Sequence, residues 1–399
     1  MPDTLDPGIG DRVRVLRKRA GLTQHDLAGA VGLSVETIRK IEQGRRHASV
    51  TTLQRIARGL DLDLPSLLGK QPAVPGAPDA GVIAVRHALA TVDDLLPVED
   101  VPLPLREAER VVTLAWGSYW GGRFEPLLSL LSDALPSLRV AAHEAGNGDR
   151  PAAHELLARL YWVAACVLLR LGQPDAAWLA VRHAMESARH GDDGFLAATI
   201  RGHLAGQLLS QGRYDHAYQV ATRAARDIEP RGEATPAHLS AYGSLLLTAA
   251  VASGRDWRTA RADDLLAEAS AVAARNGADR NDYETAFGPS QVVMQTVDVR
   301  VVTERYPDAL AVARRMPADS ALPLLARVRH MADCAHAYVR VGDQERALDA
   351  LLAMERMAPS WIRHQSLPRL VAGELVARQR RIDPRLRSVA QRLGALSPG

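Results

Sequence analysis

Thr23-Gln24-His25-Asp26-Leu27-Ala28-Gly29-Ala30-Val31-Gly32-Leu33-Ser34-Val35-Glu36-Thr37-Ile38-Arg39-Lys40-Ile41 is the stretch that decides the architecture. Its apolar positions, Leu27, Val31, Leu33, Ile38 and Ile41, are spaced for two short helices that share a wedge of core. Ala28 lets the helices come close, and Gly32 supplies the positive φ of a three-residue turn. Thr23 and Ser34 are natural N-caps for the two helices. Upstream, Arg12 to Ala20 reads as a helix that ends at Gly21. Downstream, Ser49 caps a helix bearing Leu53, Ile56, Ala57 and Leu60, and Asp63 caps a short last helix, Leu64 to Leu68. Five helices are therefore expected over residues 12–68.

Charge and punctuation set this segment apart. Residues 1–70 carry 12 Lys and Arg against 8 Asp and Glu, whereas the remaining chain carries 37 against 38. A small basic module beside a neutral body suits binding to a polyanion, because phosphate attraction depends on local charge. Residues 69–81, punctuated by Pro72, Pro75 and Pro78, lack apolar periodicity and read as a linker. The remainder, 82–399, is Ala-, Leu- and Arg-rich with helical spacing and no period-two strands, so the whole chain is expected to be all-α. No stretch approaches about 18 uncharged apolar residues and the N-terminus lacks a signal-peptide pattern, so a cytoplasmic protein with no membrane partner is expected.

The body also repeats. Gln211-Gly212-Arg213-Tyr214-Asp215-His216-Ala217 has counterparts in Leu171-Gly172-Gln173-Pro174-Asp175-Ala176-Ala177 and Val341-Gly342-Asp343-Gln344-Glu345-Arg346-Ala347. Weaker copies lie at Ser253-Gly254-Arg255 and Glu304-Arg305-Tyr306-Pro307-Asp308-Ala309. Their spacing suits one helix pair per unit, with a left-handed exit at each Gly and a small Ala where the second helix closes in. No enzyme, metal or cofactor constellation is present. Gly8-Ile9-Gly10 and the Gly202 to Gly206 stretch lack phosphate-loop context, and His183 with His190 lacks the spacing that puts two ligands on one helix face. Cys166 and Cys334 lie far apart, without disulfide or zinc spacing, and read as small buried hydrophobes.

Arg17-Lys18-Arg19-Ala20-Gly21-Leu22-Thr23-Gln24, Leu27-Ala28, Ser34 to Ile38, Ile41-Glu42-Gln43-Gly44-Arg45-Arg46 and Thr52 to Ala57 resemble the XRE family, the λ-repressor and Cro type of helix-turn-helix transcriptional regulator. The resemblance implies that the helix opened by Ser34 enters the DNA major groove. Ser34, Val35, Glu36, Arg39 and Lys40 would then meet base edges, with Thr37 on the helix or on phosphate. It further implies that Gln24, Arg45 and Arg46 contact phosphates of a double-stranded operator, and that Arg17 and Glu42 bridge helices inside the head. Since two-fold operators need two recognition helices about one turn apart, a homodimer is expected, with the body as its interface.

The Gly-Tyr-Ala turns resemble the tetratricopeptide (TPR) repeat. Mapped back from each turn, the pattern places Arg159, Trp162 and Cys166, then Gln291, Met294 and Asp298, then Arg329, His336 and Arg340 on an inner groove that would bind an effector. An XRE head on a TPR body is similar to peptide-sensing quorum regulators, whose grooves hold peptide backbone with asparagines. Asparagine occurs here only at 147, 276 and 281. The effector is therefore left as a peptide, a small molecule or a protein. The competing reading is an adaptor that holds a partner protein, with DNA binding secondary.

Overall fold

The computed structural model describes residues 9–45, 48, 50–60, 62, 67, 80–90 and 101–396. The chain divides into two compact units, an N-terminal head and a larger body. Among the described residues it is all-α, with no strand. Ser49, Asp63, the expected helix from Leu64 except Leu67, and the linker up to Asp79 lie outside the described residues. The last two expected linker positions, Ala80 and Gly81, instead open a helix.

The head contains α1 (Ile9–Arg19), α2 (Gln24–Val31), α3 (Val35–Glu42) and α4 (Val50–Gly59). Helix α1 begins three residues ahead of the Arg12 start read from the sequence. The start of α2 is fixed by a reciprocal cap: Asp26 N–H donates to Thr23 Oγ1 at 3.1 Å and Thr23 N–H donates to Asp26 Oδ2 at 2.8 Å. Helix α2 stops at Gly32, whose φ of 61° is left-handed, and Ser34 Oγ then accepts from Thr37 N–H to start α3. Leu27, Ile38, Leu53 and Ile56 meet in the core at 0–1% exposure. Each contributes about 1.5–3 kcal/mol relative to leaving it in water.

The body runs through α5 (Ala80–Ala90), α6 (Leu105–Trp120), α7 (Phe124–Glu144), α8 (Arg150–Arg170), α9 (Pro174–Ala188), α10 (Gly194–Ser210), α11 (Tyr214–Asp227), α12 (Pro236–Arg255) and α13 (Thr259–Asn276). It continues through α14 (Pro289–Val302), α15 (Tyr306–Ala313), α16 (Leu324–Val341), α17 (Gln344–Met357), α18 (Pro359–Arg363), α19 (Ser366–Arg378) and α20 (Pro384–Arg392). Successive pairs are joined by one recurring turn. In each, a left-handed residue, Gly122, Gly172, Gly212, Trp257, Glu304 or Gly342, is followed by an N–H that donates five residues back. Gln173 N–H reaches Leu168 O at 2.9 Å, and Asp343 N–H reaches Tyr338 O at 2.9 Å. Such a bond satisfies a carbonyl that the helix end would otherwise orphan.

Five residues beyond the left-handed position a fully buried residue follows every time: Leu127, Ala177, Ala217, Ala262, Ala309 and Ala347, all at 0% exposure. The small alanines permit close approach of the second helix. One expected anchor moves. Gly254 stays helical inside α12, where its Cα side faces Val299, and Trp257 takes the left-handed exit at φ 60°. Backbone of this kind costs a non-glycine residue about 1–2 kcal/mol, so the closure bond and the packing of α12 on α13 must hold it. Helix α8 is the one described helix long and apolar enough by composition to cross a bilayer, and 67% of its apolar window is buried inside the body.

The segment before α14 is anchored by Phe287, at 0% exposure, and by Pro289 in the first turn of that helix. A Cβ on Gly243 of α12 would sit 2.0 Å from Phe287 Cζ. Gly243→Ala is therefore expected to force the ring out of its seat and to cost about 1–3 kcal/mol. Urea unfolding of the full chain checks this, and an unchanged midpoint would mean that the ring repacks freely.

Candidate nucleic-acid interface and body site

The head's electrostatic centre is buried. Arg17 and Glu42 have side chains 9% and 1% exposed. Arg17 Nε and Nη2 donate to the two Glu42 carboxylate oxygens at 2.6 and 3.0 Å, and Nη1 donates to Leu22 O at 2.7 Å. This bidentate fork ties α1 to α3 and to the entry of α2. Gln24, expected to face a phosphate, donates through Nε2 to Glu42 Oε2 at 2.8 Å. Its place at the first position of α2 brings it within reach of a carboxylate that spacing alone does not reveal. A second tie was not read from the sequence: Arg55 of α4 donates to Gly32 O at 2.7 Å and to Val31 O, closing the turn between α2 and α3. The only signal was an arginine amid the apolar positions of α4.

Helix α3 presents Ser34, Val35, Glu36, Arg39 and Lys40 as exposed residues on one end and side. Val35 is 38% exposed, and Ile9 and Val15 of α1 are exposed to a similar degree. Glu36 holds Arg39 at 2.6 Å and Lys40 at 3.5 Å. The bond from Arg39, with the charges of Arg39 and Lys40 adding, keeps the Glu36 carboxyl below its ordinary range. Thr37 is half-buried, its hydroxyl 2.9 Å from that of Ser34, which favours the helix-facing role. Arg45 is exposed just past α3, and Arg46 lies outside the described residues. The arrangement can offer an acceptor, an apolar contact and two cations to base edges and phosphates.

Residues 9–68 match the helix-turn-helix domain family. The head carries a helix-turn-helix domain. An HTH-type transcriptional regulator of Sinorhizobium medicae (strain WSM419) is 26% identical over 102 residues, 26% of this chain and 73% of that protein. The immunity repressor protein of Bacillus phage phi105 is 30% identical over 66 residues, 16% of this chain and 46% of the repressor. Among solved structures, Bacillus thuringiensis PlcR in complex with the peptide PapR7 and DNA is similar at 13% identity and a TM-score of 0.38, over 77% of this chain and 94% of that one. The helix-turn-helix match spans α1 to α4 and therefore includes the α3 surface described above.

In the body, the expected groove residues fall into two groups rather than one open wall. Arg159 is half-buried, its guanidinium 3.7 Å from Asp193 and 5.5 Å above the Tyr283 ring. Trp162 is 4% exposed and packs edge-on against Trp116 at 4.9 Å. Cys166 is buried, and burial pushes its thiol far up; the half-buried Cys334 is likewise pushed up by burial, to about 12.

The second group spans α12, α14 and α16. Asp298, 4% exposed, accepts from Arg255 Nη2 at 3.1 Å and Arg329 Nη2 at 3.3 Å, and Arg329 Nε lies 3.4 Å from Asp333. Burial, with the Asp298 charge adding, raises the Asp333 carboxyl well above the ordinary range against the pull of Arg329. Met294 closes against Leu322 and Ala326. Gln291 is half-buried, its Oε1 without a partner among the described residues. His336, 1% exposed, sits edge-on to Tyr306 at 5.6 Å, and burial lowers it to about 3. Arg340 lies 3.8 Å from Glu374 and over the Tyr306 ring at 5.5 Å. Trp162, Met294, Asp298 and His336 are thus closed in, because the adjoining helices cover positions that an isolated helix pair would expose. Among the described residues, no cluster of His, Cys, Asp and Glu has metal-ligating geometry.

Proposed function

We propose that the protein is a sequence-selective DNA-binding transcriptional regulator that acts as a homodimer, with a helical-repeat body that senses a peptide or small-molecule effector. The observation that carries the first part is the exposed Ser34-Val35-Glu36/Arg39-Lys40 surface on a helix fixed from behind by the buried Arg17–Glu42 fork. A surface of that kind is useful only if the helix behind it is rigid. The similarity to the rhizobial HTH-type regulator and to the phage repressor supports the reading. For the body, support comes from the concentration of buried polar side chains between its helices, an arrangement that a purely structural solenoid does not need. One small head makes few phosphate contacts, so two heads on a two-fold operator are required for tight binding.

On the region upstream of its own gene, the full chain is expected to show salt-sensitive, sequence-selective binding with protection of two half-sites about 10 base pairs apart. Arg39→Ala and Lys40→Ala should each weaken specific binding by about 1–3 kcal/mol. Footprinting and a salt titration check this. Wild-type behaviour of both variants, or binding indifferent to sequence, would overturn the reading and favour the partner-holding adaptor.

A further inference from the structure

Between α13 and α14 the chain follows a path that local preference opposes. Tyr283, Glu284 and Ala286 all sit in left-handed backbone, with φ of 50°, 54° and 48°. Residues with a Cβ stay there only where their surroundings hold them. Both ends of the segment are pinned. Asn281 Oδ1 accepts from Ala286 N–H at 2.9 Å, Asp279 Oδ1 accepts from Ser290 N–H at 2.9 Å, and Phe287 is fully buried.

Between the pins, two side chains reach helices far back in sequence. Glu284 Oε2 accepts from Trp120 Nε1 of α6 at 2.6 Å. The Tyr283 hydroxyl donates to Asp193 Oδ1 at 3.2 Å, while its ring lies beneath the Arg159 guanidinium and edge-on to Phe195 at 6.2 Å. Burial raises the Glu284 carboxyl, so its seat is not one a carboxylate would choose without donors. The loop thus behaves as a bound ligand does, with an aromatic ring under a cation and a carboxylate on an indole N–H.

The indole cluster around Trp120 is not saturated. Trp116 stacks on Trp120 at 6.4 Å and meets Trp162 at 4.9 Å. Trp116 and Trp162 are each 4% exposed, and neither indole N–H has an acceptor among the described residues. Of three clustered donors, the loop satisfies one.

We propose that the Asn281–Ala286 loop is a tethered occupant of an effector site on α6, α8 and the start of α10, and that this site takes a ligand carrying an aromatic ring and a carboxylate in place of Tyr283 and Glu284. The proposal rests on the reading of the body as effector-sensing. A ligand with more acceptors than the loop pairs the remaining indole donors, and the loop relaxes its left-handed backbone as it leaves. Because a tethered occupant competes at an effective concentration of order millimolar, weak aromatic acids are kept out and only better-matched ligands enter.

The test uses the full chain without DNA, so its outcome is independent of operator binding. Two probes are titrated by calorimetry and tryptophan emission: the acetylated hexapeptide amide Asn-Asp-Tyr-Glu-Thr-Ala, which is the loop's own sequence, and 4-hydroxyphenylacetate. In the double variant Tyr283→Gly, Glu284→Gly, glycine keeps the left-handed path without its cost and empties the site. That variant is expected to bind the hexapeptide at least tenfold more tightly than wild type, with a change in emission, and to lose this gain when Arg159→Ala is added. Binding of the hexapeptide alone identifies a peptide ligand; binding of the small acid as well shows that ring and carboxylate suffice. A helical, cooperatively melting double variant that binds neither probe better than wild type would overturn the proposal and make the loop a permanent brace. If the double variant does not fold, Glu284→Gly alone, which removes the acceptor from Trp120, replaces it: the hexapeptide should again bind more tightly than to wild type, and no gain overturns the proposal.

Discussion

Replacing Glu42 by alanine is expected to unfold the head and abolish operator binding while the body stays folded. The side chain is 1% exposed and accepts three hydrogen bonds, two from Arg17 and one from Gln24. Removing it leaves Arg17 as a buried cation without its partner, which costs about 3–5 kcal/mol. That is comparable with the whole stability of so small a domain. In a thermal melt the variant should therefore lose the head's transition and retain the body's. A head that melts within about 1 kcal/mol of wild type would sink the assignment of the fork as its keystone.

The same pair sets the head's acid response. Burial alone would raise the Glu42 carboxyl, but the Arg17 and Gln24 bonds and the Arg17 charge outweigh it, and the net direction is down. A carboxyl lowered on folding adds stability above its unfolded value, about 4.3, and that contribution is lost as pH falls through the folded value. The head should accordingly loosen in acid at a pH where the body's helices persist.

Asp298→Ala is expected to cost the body about 3–5 kcal/mol, because Arg255 and Arg329 lose the carboxylate between them. Asp333→Asn should behave in the opposite manner. Its carboxyl is raised on folding by burial, so the stabilising protonated form is fully present below the unfolded value, about 3.9, and is lost as pH rises through the folded value. Asparagine removes that pH dependence and the buried charge together, and neutral-pH stability should hold or improve. Urea midpoints measured across pH on the two variants separate these cases. Equal losses in both would show that the cluster works as a fixed ion-pair quartet.

How much of this was legible in the sequence depended on whether the cause was local. The caps at Thr23 and Ser34, the turn at Gly32 and the exits at Gly172, Gly212 and Gly342 were legible because a cap or a positive φ selects its residue type at that very position. The exits at Trp257 and Glu304 carry residues that disfavour the conformation, so only packing explains them. Gly254 was misread for the complementary reason: its role is to admit Val299, not to turn the chain. The Arg17–Glu42 fork followed from family resemblance, whereas Gln24 joining it depends on an 18-residue separation that no pattern encodes. The inner wall was drawn from a repeat template, which gives the direction of a side chain and not what lies over it. Tyr283 and Glu284 escaped notice because nothing in a short acidic loop signals that it reaches Trp120 and Asp193.

The self-pairing of Glu36 with Arg39 and Lys40 bears on how the protein searches a chromosome. With one carboxylate shared between two cations, the α3 surface, if it is the reading surface proposed above, would meet arbitrary DNA with a single net positive charge. Its hold on non-target phosphate would be correspondingly brief, since residence on random sequence grows with each counterion displaced. On the proposed reading, a cytosine amino group that took over Glu36 would release Arg39 and Lys40 to grip. Scanning would then stay fast, with stopping reserved for the right address.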